Sequence, residues 1–379
     1  RIEARPALTP IWEQQAIDYL RSRSLKDALH DNSLDVAVLD AIFVLKEREL
    51  VDILQTQGVD QDKLVFFLMD FFNKYRFKMV DFEQLNEEFK AVFQVDWNMI
   101  LPSWYMNNKI PTYLLKIAEI LRVKTENSKD YRCRIEFAVF NDSDVDGVVN
   151  FRTSTYLPGG WPEMQRAHKE KRRESIVKYH AFKIEAGTGK RFAFEVNEFL
   201  DFMINTNIAG NLPNSFLCRA TGVFASDTTQ YMEEVSRDYF LSDTNEFIVD
   251  NTDPGCKITQ PSTLLKLVKN EHLKSPKSWI RFINFKEENA IFPTSQWKEY
   301  IDQNCQGTTI RSFVFTRGKS GDYRLTWEAD LPKEGVYEAF VYIPSYSLNM
   351  MQKYKISPLG GEEKVVYVDT RGEWCSLGV

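Results

Sequence analysis

Cysteine and histidine are scarce in this sequence of 379 residues, which has five of the first and four of the second. The cysteines lie far apart and form no Cys-x-x-Cys pair, at Cys133, Cys218, Cys256, Cys305 and Cys375. This spacing excludes a zinc ribbon and a dithiol redox motif, and it predicts isolated thiols, at least one of which has no partner within the chain. Four histidines do not favour a histidine-rich metal centre.

Long apolar runs are also missing. No stretch approaches the roughly 18 uninterrupted apolar residues of a membrane span, and no apolar signal region follows Arg1. Because the first residue is not methionine, we expect the sequence to begin inside a longer protein or after processing. A net charge of −6 does not favour a nucleic-acid partner. The one basic cluster, residues 168–173, contains Glu170 and predicts a solvated surface.

Short catalytic motifs are absent as well. The sequence contains no His-Glu-x-x-His, no Gly-x-Ser-x-Gly and no phosphate-binding loop of the Gly-x-x-x-x-Gly-Lys type. The glycine-rich segment 187–190 lies between two predicted strands, which indicates a hairpin. Carboxylates are numerous, but a sequence cannot pair them in space, so a carboxylate-based hydrolase stays an alternative. We expect no cofactor and no catalytic residue within this chain.

What is present first is a helical pattern over residues 1–111. Apolar residues recur near the 3.6-residue period, most clearly over 34–57, over 60–74 and after Asp81. Ser33 is the expected N-cap of the longest helix, Gly58 its expected stop, and Asp81 the expected cap of a later one. Pro111 is expected to end this all-helical subdomain.

The period then changes to two, which is typical of strands. Strands are predicted over 113–124, 131–140, 145–156, 179–184 and 191–196. We therefore expect a small Ig-like β-sandwich over 112–226, a polar linker over 227–244 and a second β-sandwich over 245–379 with one helical segment at 262–269. The predicted fold class is multidomain α + β, with an N-terminal all-helical subdomain followed by two antiparallel β-sandwich modules.

An acidic segment lies between two of these strands. Asp142, Asp144 and Asp146, followed by Gly147, match the start of an EF-hand calcium loop and are the candidate metal ligands. Thr153 stands at the twelfth position, where that loop needs glutamate, and the flanks alternate as strands. The pattern therefore favours a tight acidic hairpin turn over a calcium site.

Aromatic residues are frequent in the last module. Trp327, Tyr337, Tyr342 and Trp374 are the candidate ligand-binding residues, because exposed rings stack on sugars. Rings also bury large apolar areas, so packing between sheets is the favoured alternative for most of them.

The same module resembles a known family. The segments 247–255 (FIVDNTDPG), 327–337 (WEADLPKEGVY) and 372–378 (GEWCSLG) are similar to the golvesin C-terminal-like domain, the type of module carried by xanthan lyases. The resemblance covers about the last third of the chain and implies a carbohydrate-binding β-sandwich of secreted bacterial hydrolases. In that family further strands follow the last segment, so a sandwich ending at Val379 is expected to be incomplete.

A second resemblance lies in the helical part and the strand region after it. Its segments are 72–78 (FNKYRFK), 81–89 (DFEQLNEEF), 96–97 (DW), 103–105 (SWY), 110–111 (IP) and 140–149 (FNDSDVDGVV). They resemble the helices that close the catalytic domain of aminopeptidase-N-like zinc metallopeptidases, and the β-sandwich that follows those helices. The zinc motif of that family precedes these helices and is absent here, so the resemblance implies a position in a longer protein and no catalytic residue.

These observations predict a non-catalytic accessory and binding region of a bacterial cell-envelope protein of the metallopeptidase type. Its expected partners are an upstream catalytic-like domain, which would hold any zinc, and a glycan or an envelope protein. The expected location is the periplasm or the cell surface. Two alternatives stay open: a purely structural subunit of an envelope complex, and a carboxylate-based hydrolase with its site at a domain junction.

Overall fold

The computed structural model has two compact units, Arg1–Leu241 and Ser242–Val379. The described residues are 11–124, 132–156, 175–197, 199–218, 223–227, 229–240, 246–251, 253–259, 297–301, 305, 312–315, 323–331, 333–344, 352–358, 361–369 and 374–379. They form a mixed α and β structure, as predicted, with the helices first along the chain. The predicted basic cluster and the predicted helix at 262–269 lie outside the described residues. The finer prediction of two sandwich modules stays a prediction.

Six α-helices are described first along the chain, within residues 11–106. They are α1 (Ile11–Leu20), α2 (Leu25–His30), α3 (Val36–Thr56), α4 (Gln61–Lys74), α5 (Phe82–Phe93) and α6 (Trp97–Met106). Asp81 caps α5 by accepting from Gln84 N, and Gly58 follows α3 with a φ of 85°, so both predicted helix boundaries are confirmed. The prediction of Ser33 as the cap of α3 is wrong, because Asp35 accepts from Ala37 N in that position. Within the described residues, no helix has the length and apolarity to cross a membrane.

Eight strands follow in the described part of the first unit. They are β1 (Tyr113–Arg122), β2 (Arg132–Asn141), β3 (Gly147–Tyr156), β4 (Ser175–Ile184), β5 (Gly189–Asn197), β6 (Phe199–Asn205), β7 (Ser215–Cys218) and β8 (Tyr231–Glu234). The first sheet has the order β1-β2-β5-β8 and the second sheet the order β4-β3-β6-β7, both antiparallel. β8 lies inside the segment predicted to be a linker, and it pairs with β5.

The two sheets share one core. Alternate residues of both sheets point into the space between them. The rings of Phe137 and Phe192, both of the first sheet, stack with their centroids 4.6 Å apart, and the centroid of Phe137 lies 5.4 Å from that of Phe151 in the second sheet. Two hairpin predictions are therefore wrong. The acidic segment joins β2 to β3, and segment 187–190 leads from β4 into β5, but each of these links connects strands of different sheets. Each of these strands pairs with strands that are more distant in the sequence, and for this reason the two turns do not form hairpins.

Helix α3 is joined to the second sheet by a buried polar cluster. Asp52 accepts hydrogen bonds from Asn150 Nδ2 at 2.8 Å and from Asn207 Nδ2, and all three residues are at most 6% exposed. Asn205 Nδ2 donates to Asn150 Oδ1 at 3.1 Å. Burial raises the pKa of Asp52, and its two amide donors oppose that change. We call these residues the Asp52 cluster.

The loop between β6 and β7 also contacts the helices. Ile208 packs in the apolar core formed by α1, α2 and α3. Arg21 donates to the carbonyl of Gly210 at 2.6 Å, and Asn214 donates to Glu13 Oε2 at 2.5 Å. The helices and the two sheets therefore form one body within the first unit.

The second unit shows short strands paired two by two. The described strands are β9 (Cys256–Thr259), β10 (Lys298–Ile301), β11 (Ser312–Phe315), β12 (Arg324–Trp327), β13 (Ala339–Tyr342), β14 (Gln352–Ile356), β15 (Lys364–Val368) and β16 (Trp374–Gly378). β9 pairs with β12, β10 with β11, β13 with β16, and β14 with β15. Ile343, Val368 and Leu377 form a small buried cluster.

Candidate functional site

Helix α4 has two apolar faces. Its inner face carries Leu64 and Phe71, which are buried, and Phe67 and Leu68, which pack against the helical core. The opposite face carries Val65, Phe66, Met69 and Phe72, which are 50%, 65%, 56% and 68% exposed. Because these four residues follow one another at helical spacing, they form a continuous apolar stripe on the surface.

The loop after α4 and the start of α5 carry three more exposed apolar residues. Phe77 is 96% exposed and has a φ of 63°, Met79 is fully exposed, and Phe82 at the start of α5 is 41% exposed. We call the seven residues Val65, Phe66, Met69, Phe72, Phe77, Met79 and Phe82 the α4 face. Contiguous apolar surface such as the stripe on α4 marks interaction sites in soluble proteins.

The sequence contains a signal for the α4 face. The segment 64–72 (LVFFLMDFF) is apolar on nearly every side, and a helix that is apolar all round is normally covered on all sides. The 3.6-residue period identifies a helix from one apolar face alone, so it did not predict that a second apolar face would be exposed.

The three candidate metal ligands each have a different cationic partner. Asp142 forms a two-point ion pair with Arg237, with Nε···Oδ1 at 2.9 Å and Nη2···Oδ2 at 3.0 Å. Lys109 donates to Asp144. Asp146 accepts from Lys183 Nζ at 2.7 Å and from Ala186 N at 3.1 Å.

Two of these pairs lower the pKa of their carboxyl group. The hydrogen bond from Lys109 lowers the pKa of Asp144, and that from Lys183 lowers the pKa of Asp146. Thr153, at the twelfth loop position, lies in the interior of β3 between β4 and β6. Among the residues that the structure describes, no group of three or more histidine, cysteine, aspartate or glutamate side chains is arranged to hold a metal ion.

Two of the four candidate sugar-stacking residues lie together. Tyr342 of β13 is the cross-strand partner of Trp374 of β16, and their rings meet edge to face at 5.6 Å. Trp374 is 48% exposed, so part of its indole is available to a ligand. This pair is the part of the predicted site that the structure brings together.

The other two candidates have different neighbours. Trp327 ends β12 opposite Cys256 and is 41% exposed. Tyr337 packs edge to face on Phe247 at 6.2 Å and donates its hydroxyl to the carbonyl of Lys333 at 2.8 Å. The four rings therefore belong to three separate local settings.

The chain was compared with models of known protein families and with curated protein sequences, and neither comparison found a match. The two resemblances stated above therefore stay predictions.

Proposed function

We propose that this chain is a non-catalytic accessory region of a larger bacterial cell-envelope protein of the metallopeptidase type. In this proposal its helices pack against a neighbouring catalytic-like domain of the same protein, which would hold any zinc. Its β modules, two sandwiches, serve as spacers and as a carbohydrate-binding surface in the periplasm or at the cell surface.

The α4 face is the observation that carries the proposal. Its side chains would each lose contact with water if another apolar surface covered them, and burial of one such side chain stabilises by about 1.5–3 kcal/mol. Three of the seven residues of this face, Phe72, Phe77 and Phe82, lie in the segments that resemble the closing helices of metallopeptidases. A domain that normally lies next to another domain is expected to show such a face when considered alone.

Methionine oxidation tests the proposal directly, because the α4 face contains two methionines. Met69 and Met79 are exposed in this chain, and so is Met232 of β8, at 61%, which serves as the internal control. The measurement is the rate of sulfoxide formation by hydrogen peroxide, followed by peptide mass spectrometry, in this chain and in the natural protein. We expect Met69 and Met79 to be protected in the natural protein, with Met232 unchanged.

Equal oxidation of Met69 in both proteins would contradict the proposed packing. The intact mass of the natural protein gives a second criterion, since a mass equal to that of residues 1–379 removes the neighbouring domain altogether. Hydrolysis of peptides by this chain alone would argue for the hydrolase alternative.

Carbohydrate binding by the second unit is a more specific part of the proposal. It is supported by the half-exposed indole of Trp374 beside Tyr342, since an indole face offers a flat apolar surface to a sugar ring. The assay is affinity electrophoresis in gels that contain xanthan or hydroxyethylcellulose. We expect retardation that Trp374→Ala abolishes and Trp327→Ala retains. Migration independent of both polysaccharides would leave the second unit as a spacer.

A further inference from the structure

A cavity of about 790 Å³ opens between the two sheets of the first unit. The second sheet contributes Thr153 and His180 to its lining, and the first sheet contributes Phe194 and Val196. Gln230, Tyr231 and Met232 line the side formed by β8 and the residue before it. This volume lies within the usual range of small-molecule sites, roughly 300–1,000 Å³.

The cavity results from unequal edge strands. The edge strand of the second sheet, β4, has ten residues, but the edge strand of the first sheet, β8, has four and pairs only with residues 190–193 of β5. Within the part of the chain that the structure describes, the far half of β4 therefore has no residue of β8 opposite it. In agreement, Val177, Lys178, Tyr179 and His180 are all exposed, although alternate residues of this strand point between the sheets.

The walls of the cavity are aromatic. The ring of Phe151 stacks on the rings of Phe182 and Phe194, with centroid distances of 5.3 Å and 5.1 Å. The centroids of Phe182 and Phe192 are 4.9 Å apart. The imidazole of His180 lies 4.9 Å from the ring of Phe151. Faces and edges of five rings thus surround the space, which favours a flat, aromatic ligand.

The charge at the rim is positive. Lys178, His180 and Phe182 are alternate residues of β4, so their side chains lie on the same face of the strand, toward the cavity. Among the described residues, Lys178 has no ion-pair partner. Glu195, the carboxylate that also lines the cavity, is already paired with Arg132 at 3.4 Å. Partial burial, followed by the charge of Lys178, lowers the pKa of His180 and so favours its neutral form. Lys178 is therefore the unmatched charge at the site.

We propose that this cavity binds a small aromatic carboxylic acid, with its ring against the half-buried rings of Phe182 and Phe194 and its carboxylate paired with Lys178. The inference is independent of the function proposed for the α4 face. It assigns no chemistry to the ligand, only recognition by stacking and by one ion pair.

Isothermal titration calorimetry with 2-naphthoate tests the inference, with naphthalene-2-carboxamide as the uncharged probe of the same shape. We expect 2-naphthoate to bind with a dissociation constant on the order of 100 μM. Lys178→Gln should weaken 2-naphthoate about five- to tenfold and leave the carboxamide unchanged, because only the acid uses the ammonium group. Octanoate, an acid without a ring, should bind at least about tenfold more weakly than 2-naphthoate.

Lys183→Gln is the matched control. Lys183 lies on the same strand as Lys178, but its side chain is on the other face of that strand and pairs with Asp146. It should change the affinity for neither probe. Absence of binding by 2-naphthoate at millimolar concentration would overturn the inference. So would equal effects of the two lysine variants, or equal affinities for octanoate and 2-naphthoate. Both lysines are exposed, so circular dichroism is expected to show unchanged folding.

Discussion

The sheets of the two units differ in how far they bury their aromatic residues. In the first unit, Phe137, Phe151 and Phe202 lie between two four-stranded sheets and are at most 5% exposed. In the described part of the second unit, Phe340 and Trp374 lie on two-stranded sheets and are about half exposed, at 50% and 48%. Both units alternate apolar and polar residues along their strands.

The difference shows that alternation predicts a strand but not whether its apolar face is covered. A ring becomes core only where a second layer lies on it, and in the first unit that layer is the other sheet. Where no second layer is described, the same kind of residue stays at the surface and is available for binding.

The largest effect is expected for phenylalanine truncation in the two units. Phe202→Ala removes a fully buried ring that contacts Phe137 and Phe151, and it should lower the free energy of unfolding of the first unit by about 4 kcal/mol. Phe340→Ala removes a half-exposed ring and should cost at most about 1 kcal/mol in the second unit. Urea denaturation measures both. A similar loss for Phe340→Ala would mean that its face of β13 is covered, and the contrast between the units would fail.

The Asp52 cluster gives the next effect. Asp52→Ala leaves the buried amide groups of Asn150 and Asn207 without their acceptor, which should destabilise the first unit by about 3 kcal/mol. Asp40→Ala is the matched control, because Asp40 is an exposed aspartate of the same helix. It should stay within about 0.5 kcal/mol of the parent. Indistinguishable urea midpoints for the two variants would refute the structural role of the cluster.

Replacement of glycine by alanine should also have different effects on stability in the two units. A Cβ on Gly147 would lie 1.9 Å from Tyr113 Oη, and Tyr113 is fully buried and has no room to move away. Gly147→Ala should therefore cost about 2 kcal/mol. A Cβ on Gly335, in the second unit, meets nothing closer than 3.6 Å, so Gly335→Ala should be neutral or slightly stabilising. Thermal unfolding of each variant provides the comparison, and a harmless Gly147→Ala would show that Tyr113 is free to shift.

The smallest effect concerns His180. Because its pKa is lowered in the folded state, the unfolded state binds the proton more readily between the folded pKa and the ordinary value of about 6.5. The stability contribution is therefore present above about pH 6.5 and is lost as the pH falls through this window. His180→Gln should flatten the pH dependence of the urea midpoint in that range. Identical pH profiles of the parent and His180→Gln would exclude this linkage.

Local features of the fold were predictable from the sequence. Asp81 and Gly58 mark helix ends because capping and left-handed backbone depend on a few neighbouring residues. β1 to β5 were predicted close to their observed positions, because the alternation of a strand is also a local pattern. Their assignment to two sheets was not predictable, because the segments after β2 and β4 carry ordinary turn residues and the pairing is set by distant strands.

The candidate sites were less predictable. The pairing of Tyr342 with Trp374 depends on the register of β13 and β16, which lie more than thirty residues apart. Asp142, Asp144 and Asp146 are adjacent in sequence, yet their partners Arg237, Lys109 and Lys183 come from three other segments. The cavity beside Lys178 depends on the unequal lengths of β4 and β8, which no local pattern of β4 records.

The Asp52 cluster has a consequence for dissecting this protein. Its carboxylate comes from the helices and its amide donors come from the strands, so a cut at Pro111 would separate a buried anion from the groups that solvate it. Each piece would also expose apolar surface that is buried in the whole unit, because Ile208 packs in the apolar core formed by α1, α2 and α3. Limited proteolysis is therefore expected to spare the chain near Pro111, and the helices and both sheets should melt in a single cooperative transition.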